Sequence, residues 1–221
     1  MRSVIESVER LFETIHCVNN ELIIVDDGST DNSQKIVREA AASFSNIRAV
    51  FHPRNLGIGR ALRSGYAAVS YENVSAVPAD GQFDVAELIP YSNLPQNAFV
   101  SFYRKENTIY SHGRNLLSFV NRKLNASFLG LRLLDVNWVK IYKRAELEKL
   151  DLRMTSSLVE SEICAKLLLR KNKSIERESV YLPRKAGRSK GASLPVVFQA
   201  ALETLKLVCV VNLYRIKRKS E

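Results

Sequence analysis

At 221 residues, 46% hydrophobic and 25% charged, the chain has the composition of a globular domain with a substantial core, which excludes disordered and fibrous classes. Three cysteines, Cys17, Cys164 and Cys209, are too few and too scattered for a disulfide framework or a metal cluster, so a reducing compartment and core thiols are expected. The net charge of +10 is concentrated late in the chain: 13 of the 33 Lys/Arg but only 4 of the 23 Asp/Glu lie between Arg170 and Glu221. Such a segment suits nucleic acid, an anionic membrane or a phosphorylated substrate, or it simply keeps the chain soluble.

The first residues alternate charged and apolar positions without a continuous apolar run, so neither a signal peptide nor a transmembrane start is expected. Val4, Ile5, Val8, Leu11, Phe12 and Ile15 recur at helical spacing and predict an opening amphipathic helix. Leu22 to Val25 then reads as a short buried strand that stops at Asp26-Asp27-Gly28-Ser29, with Ser29, Thr30 or Asp31 able to cap the next helix. Ser33 to Phe44 predicts that helix, Ile47 to Phe51 a strand, Gly59 to Ser70 a helix, and Val74 to Val77 a strand ending at Pro78-Ala79-Asp80-Gly81-Gln82. Strands separated by crossover helices imply a parallel sheet, whose carboxyl edge is where ligands bind.

After a helix from about Asp84 to Ile89 the pattern predicts strands at Ala98 to Phe102, Val136 to Tyr142 and Ser174 to Leu182, and helices at Gly113 to Phe128 and Leu158 to Lys171. Pro183 to Gly191 is a Lys/Arg/Gly-rich loop. Beyond Ser193, apolar residues from Val196 to Leu213 with a narrow polar stripe of Gln199, Glu203 and Lys206 predict a helix ending in Arg215, Lys217, Arg218 and Lys219. Its charges disfavour a membrane span; it suits an interfacial helix or one packed on the domain or on another subunit.

The order and spacing of these segments resemble the family-2 glycosyltransferases, in particular the branch of dolichyl-phosphate mannosyltransferase and polyprenyl-phosphate glycosyltransferases. The resemblance rests on Asp26-Asp27-Gly28-Ser29-Thr30-Asp31, Asn55-Leu56-Gly57, Ala79-Asp80-Gly81-Gln82, the pattern Arg114, Ser118, Asn121, then Leu129-Gly130-Leu131, Asp135, Val139 to Arg144, Glu162, and Pro183 to Lys190. It implies an α/β GT-A (nucleotide-diphospho-sugar transferase) fold, a mostly parallel sheet flanked by helices, over residues 1–193, followed by a basic amphipathic helix at 194–221. Relatives open with a strand of the V-V-I-P-x-Y-N-E kind, and Met1 falls where the next helix starts, so the first strand is expected to be lacking. Relatives also carry D-x-D where this chain has Pro78-Ala79-Asp80.

The implied activity is inverting, metal-assisted transfer of a sugar from a nucleoside-diphosphate sugar to a polyprenyl phosphate at the cytoplasmic membrane face, as in cell-envelope polysaccharide synthesis. On this resemblance Val25, Asp26, Asp27, Ala79, Asp80, Gln82, Arg104 and Arg184 bind the nucleotide sugar, and Asp80 with Gln82 holds Mg²⁺ or Mn²⁺. Arg114 and Ser118 lie on the acceptor side, and Asp80, Arg184 and Lys190 are catalytic. The chemistry agrees: carboxylates accept from nucleobase or ribose donors, Mg²⁺ takes one or two carboxylates plus phosphates, and guanidinium forks clasp phosphate.

A phosphate acceptor needs no base, whereas a sugar-hydroxyl acceptor would, with Asp135, Glu160 and Glu162 as candidates. His16, His52 and His112 show no pairing and read as structural or surface residues. Two alternatives stand beside the leading one: a degenerate nucleotide-sugar-binding protein without turnover, and transfer to a sugar hydroxyl. Nucleic-acid binding is not expected, since the basic end has no interleaved aromatics.

Overall fold

The computed structural model describes residues 1–16, 19–104, 125–183 and 194–219. Helix α1 (Arg2–Thr14) leads into strand β1 (Leu22–Asp26), helix α2 (Ser33–Ser43), strand β2 (Ile47–Phe51) and helix α3 (Ile58–Ala68). Strand β3 (Asn73–Ser75), a 3₁₀ helix (Val85–Tyr91) and strand β4 (Ala98–Arg104) follow. After a π-helical turn (Asn125–Leu129) come strand β5 (Lys140–Lys143), the short helix α4 (Arg144–Leu147), helix α5 (Val159–Leu169), strand β6 (Lys173–Ser179) and helix α6 (Leu194–Lys219).

The strands form two separate sheets. β1 and β2 pair in parallel, Leu22 opposite Ile47 through Asp26 opposite Phe51, and the second sheet has the order β3-β5-β4-β6. β4 and β6 are parallel over seven residues, whereas β5 runs antiparallel to both of its neighbours. Crossover helices imply parallel neighbours, and β5 departs from that expectation. Among the described residues β1 and β3 each have one paired edge. Three buried oxygens without a hydrogen-bond partner, Asp26 Oδ2, Asn73 Oδ1 and Ser75 Oγ, lie on these same two strands. Such orphans are scarce in folded proteins and mark where packing is incomplete.

Helices on opposite faces hold the two sheets together. Leu22 and Ile24 share one face of β1 and pack with Ile5 of α1 and Ile36 and Ala40 of α2. Further along α1, Val8 and Leu11 pack with Phe83, Val100 and Phe102 of the four-stranded half. On the other face of β1, a Cβ at Gly65 of α3 would stand 3.4 Å from Val25 Cγ2, so small size here lets helix and strand approach. Leu62 and Tyr66 of α3 pack against the largest core cluster, built on Phe99, Tyr142, Val159 and Ile163, which Leu207 and Val211 of α6 complete.

Several boundaries differ from the sequence expectation. β3, β5 and β6 are shorter than the expected strands and offset from them, β3 and β6 beginning one residue earlier and β5 ending one residue later. The cap of α2 is also different: Asn32 occupies the N-cap without a side-chain bond, and Asp31 Oδ1 accepts from Ser33 N at 2.9 Å. Cys164 is buried as expected, but Cys209 is exposed because α6 turns that face outward.

Candidate active site

The acidic turn is built by β1. Asp26 is 2% exposed at its end, where Oδ1 accepts from Ser29 N at 3.0 Å and Oδ2 has no partner. Burying a carboxylate oxygen without a donor costs several kcal/mol unless something binds it, so this atom is suited to a donor from outside the fold. Gly28 follows with φ +69, and a Cβ there would meet Asn55 N at 2.6 Å. Only glycine allows the turn to lie so close to the segment after β2.

Asp27 organises that segment. Its Oδ1 accepts from Leu56 N at 2.9 Å and meets His52 Nδ1 at 2.7 Å, while Oδ2 accepts from Gly57 N at 2.8 Å. Burial pushes its carboxyl up, but the hydrogen bonds from His52 and the two backbone amides outweigh that and hold it below the usual carboxylate range. His52 Nε2 in turn meets Ser64 Oγ of α3 at 2.9 Å, so the imidazole ties the acidic turn to the helix behind it. The expectation that His52 is unpaired is therefore corrected. Parallel register offered the signal: Asp26 is opposite Phe51, which puts the next residues, Asp27 and His52, side by side at the sheet's edge. Val25 sits one residue before the turn, half-buried and paired with Val50.

The second candidate segment follows β3. Asp80 Oδ1 accepts from Gln82 N at 3.2 Å, Gly81 adopts φ +76, and Ala79 is exposed at the tip. Gln82 is buried; its amide donates to the Tyr181 hydroxyl, and its backbone carbonyl accepts from Leu182 N at 3.0 Å. Leu182 lies two residues before Arg184, so the stem of the basic loop is fastened to the Asp80 segment. Arg184 and Lys190 themselves lie outside the described residues, as do Arg114 and Ser118.

An aromatic platform stands behind this junction. Tyr181 and Trp138 have ring centroids 5.6 Å apart, and Trp138 Nε1 donates to Ser179 Oγ at 3.0 Å. The Arg104 guanidinium lies 4.7 Å over Trp138 and grips Asp135, with Nε to Oδ2 at 2.7 Å and Nη2 to Oδ1 at 3.3 Å. Arg104 is thus a cation held in place by a carboxylate and an aromatic face, a fixed fork rather than a mobile surface charge.

The other late acids are engaged elsewhere. Glu160 accepts from both the Tyr66 and Tyr142 hydroxyls at 2.6 Å, and Glu162 is fully buried against Lys166 Nζ at 2.5 Å and the backbone amides of Arg153 and Met154. Burial pushes the Tyr66 and Tyr142 hydroxyls well above their usual range, and the neighbouring Glu160 adds to it, so both remain donors. These two acids hold the core together and present no base to a substrate.

The residues present fit a hard divalent cation in a limited way. Among the described residues no group of three or more His, Cys, Asp or Glu converges, and Asp80 is the acid of its segment where Pro78 occupies the other motif position. One carboxylate oxygen suits Mg²⁺ or Mn²⁺ when the remaining ligands are substrate phosphates and water.

The sequence matches Glycosyl transferase family 2 over residues 2–128. It is 33% identical over 85 residues to dolichyl-phosphate beta-glucosyltransferase ALG5D of Trichomonas vaginalis, covering 37% of this chain and 26% of that protein. It is 37% identical over 67 residues to ALG5C of the same organism, covering 30% and 20%. The chain thus matches about a quarter or less of the length of these relatives. Among solved structures, it superposes on glucosyl-3-phosphoglycerate synthase of Mycobacterium tuberculosis in complex with Mn²⁺, UDP-glucose and phosphoglyceric acid with a TM-score of 0.60 at 17% identity, covering 95% of this chain and 74% of that one. The complex of that enzyme with Mg²⁺ and UDP gives a TM-score of 0.57 at 19% identity, covering 95% and 73%. These likenesses show the GT-A fold.

Proposed function

The chain belongs to glycosyl transferase family 2, and we propose that it transfers a sugar from a nucleoside-diphosphate sugar to a polyprenyl phosphate of the dolichyl type at the cytoplasmic face of a membrane. The observation that carries the donor half is the Asp26 to Gly28 turn, with a buried carboxylate oxygen left for an outside donor and a neighbouring loop fixed by Asp27. The dolichyl-phosphate glucosyltransferases among its relatives support the acceptor half.

On this reading Asp26 accepts from the nucleobase or ribose, and Asp27 with Val25 shapes the wall around it. Arg184 and Lys190 reach the diphosphate from a loop whose stem is fastened to Gln82, while Arg114 and Ser118 meet the acceptor. Asp80 would hold Mg²⁺ or Mn²⁺, whereas Gln82, the second ligand expected from the motif, is buried with its amide on Tyr181 and braces the segment instead; the ion would supply positive charge to the departing diphosphate. The acceptor oxygen forms the new bond to the anomeric carbon as the bond to the diphosphate breaks, and the electron pair leaves with the diphosphate, inverting that carbon.

A phosphate monoester with a second pKa of about 6 is largely ionised at neutral pH and needs no base. This agrees with the engagement of Glu160 and Glu162 in the core and of Asp135 with Arg104. The position of Pro78 favours a second reading, in which the fold binds nucleotide sugar without turnover.

Incubation of the purified chain with labelled UDP-glucose, dolichyl phosphate and Mn²⁺, followed by organic extraction, tests the proposal. A lipid-linked sugar is expected, falling by about 10²-fold in Asp80→Ala, the scale of losing one electrostatic stabiliser. Nucleotide binding without product from a panel of donors and polyprenyl phosphates would place the non-catalytic reading ahead.

A further inference from the structure

Helix α6 has two apolar faces, and only one is used by the fold. Leu207 and Val211 are fully buried in the main core cluster, Lys166 Nζ lies 5.0 Å over the Tyr214 ring, and Arg218 donates to the carbonyl of Leu169. These contacts fix the helix and its rotation. On the outward side Leu202, Leu205, Leu213 and Ile216 are 52%, 65%, 60% and 63% exposed, with exposed Cys209 between them. At 100° per residue the five fall within about 80° of the circumference, in a stripe about 21 Å long.

A continuous apolar stripe of this kind marks an interaction site, whereas scattered exposed leucines would not. Lys206 and Lys217, both exposed, lie along one flank of it. The nearest acid on the described part of the helix, Glu203, lies further round toward the packed side. No helix among the described residues is long and apolar enough to cross a membrane.

We propose that this face of α6 is a docking surface for an anionic lipid bilayer, with the helix lying along the interface, the leucines and Ile216 in the acyl boundary and the lysines among the head groups. A helix with one strongly apolar face edged by cations binds bilayers in this way. The charges favour this occupant over a second copy of the chain: antiparallel pairing of two stripes would bring Lys206 near its own counterpart, while Asp151, the acid beside Lys217, belongs to the chain's own domain. The inference does not depend on the donor or acceptor chemistry, and its test involves no turnover.

The test is flotation of the full chain with vesicles of phosphatidylcholine alone or with about one-third phosphatidylserine, in 0.1 M salt. The expected result is binding to the anionic vesicles. Lys206→Ala/Lys217→Ala should lower partitioning about 25-fold, because each cation near an anionic surface contributes about fivefold. Leu205→Ser/Leu213→Ser should lose binding while keeping the wild-type circular dichroism and thermal transition, since both side chains already face outward. Equal recovery with both vesicle types, no recovery, or recovery unchanged in the two variants would overturn the proposal. So would a concentration-dependent dimer in sedimentation velocity that Leu205→Ser/Leu213→Ser abolishes, which would assign the face to a second copy.

Discussion

The two sheets are packed very differently. In the four-stranded sheet the first five residues of β4 and all four of β5 are buried, and their neighbours include a fully buried Glu162–Lys166 pair and the Tyr66–Glu160–Tyr142 bridge. In the two-stranded sheet every residue of β1 except Asp26 is only half-buried, and of β2 only Ile47 is buried. Yet the lightly packed half carries the acidic turn. The division assigns most of the stability to one half and recognition of the donor's nucleoside to the other, and substitutions in each should have distinct signatures.

The largest effect is expected in the well-packed half. Lys166→Met leaves the Glu162 carboxylate buried with only backbone donors, which should destabilise the chain by about 3–5 kcal/mol in urea unfolding. Next is the seam between the halves. A Cβ at Gly59 of α3 would press inside van der Waals contact on the Ser156 carbonyl before α5, so Gly59→Ala should cost about 1–3 kcal/mol by overpacking. It should also broaden the unfolding transition, because the two halves would separate before either unfolds.

Within the lightly packed half, His52→Phe removes one donor to Asp27 and the link to Ser64. A loss of about 1 kcal/mol in stability is expected, with a weakened affinity for UDP measured by titration calorimetry. The smallest effect is with pH. Asp27 titrates below its unfolded value, so as pH falls the unfolded chain takes up the proton first, near the ordinary value of about 3.9. Its contribution is complete above that value and disappears once pH drops through the depressed folded one, so acid unfolding should be shallower in Asp27→Asn than in the wild type.

Local patterns made much of this architecture readable. The helical period of α1, the apolar run of β1 and the acidic turn that ends it depend on neighbours in sequence, and all appear within a residue or two of the expected places. Contacts between distant residues were less readable. Arg104 finds Asp135 across 31 residues, and Glu160 is claimed by Tyr66 from 94 residues away, pairings that no local pattern carries. His52 was hidden for the same reason, although the parallel register of β1 and β2 carries it to Asp27 once the pairing is known. Arg114, Ser118, Arg184 and Lys190 lie outside the described residues, and the roles proposed for them rest on their motifs alone.

Hydrogen exchange measured with and without UDP and Mn²⁺ tests the division of labour most directly. Without ligand, amides of β1 and β2 should exchange faster than those of β4 and β5, as expected where burial is light. With ligand, protection should rise over residues 22–31, 52–57 and the metal segment 79–82, and leave the buried ladder of β4 and β5 unchanged. Protection confined to the four-stranded half, or the same slow exchange in both halves before ligand is added, would contradict the account.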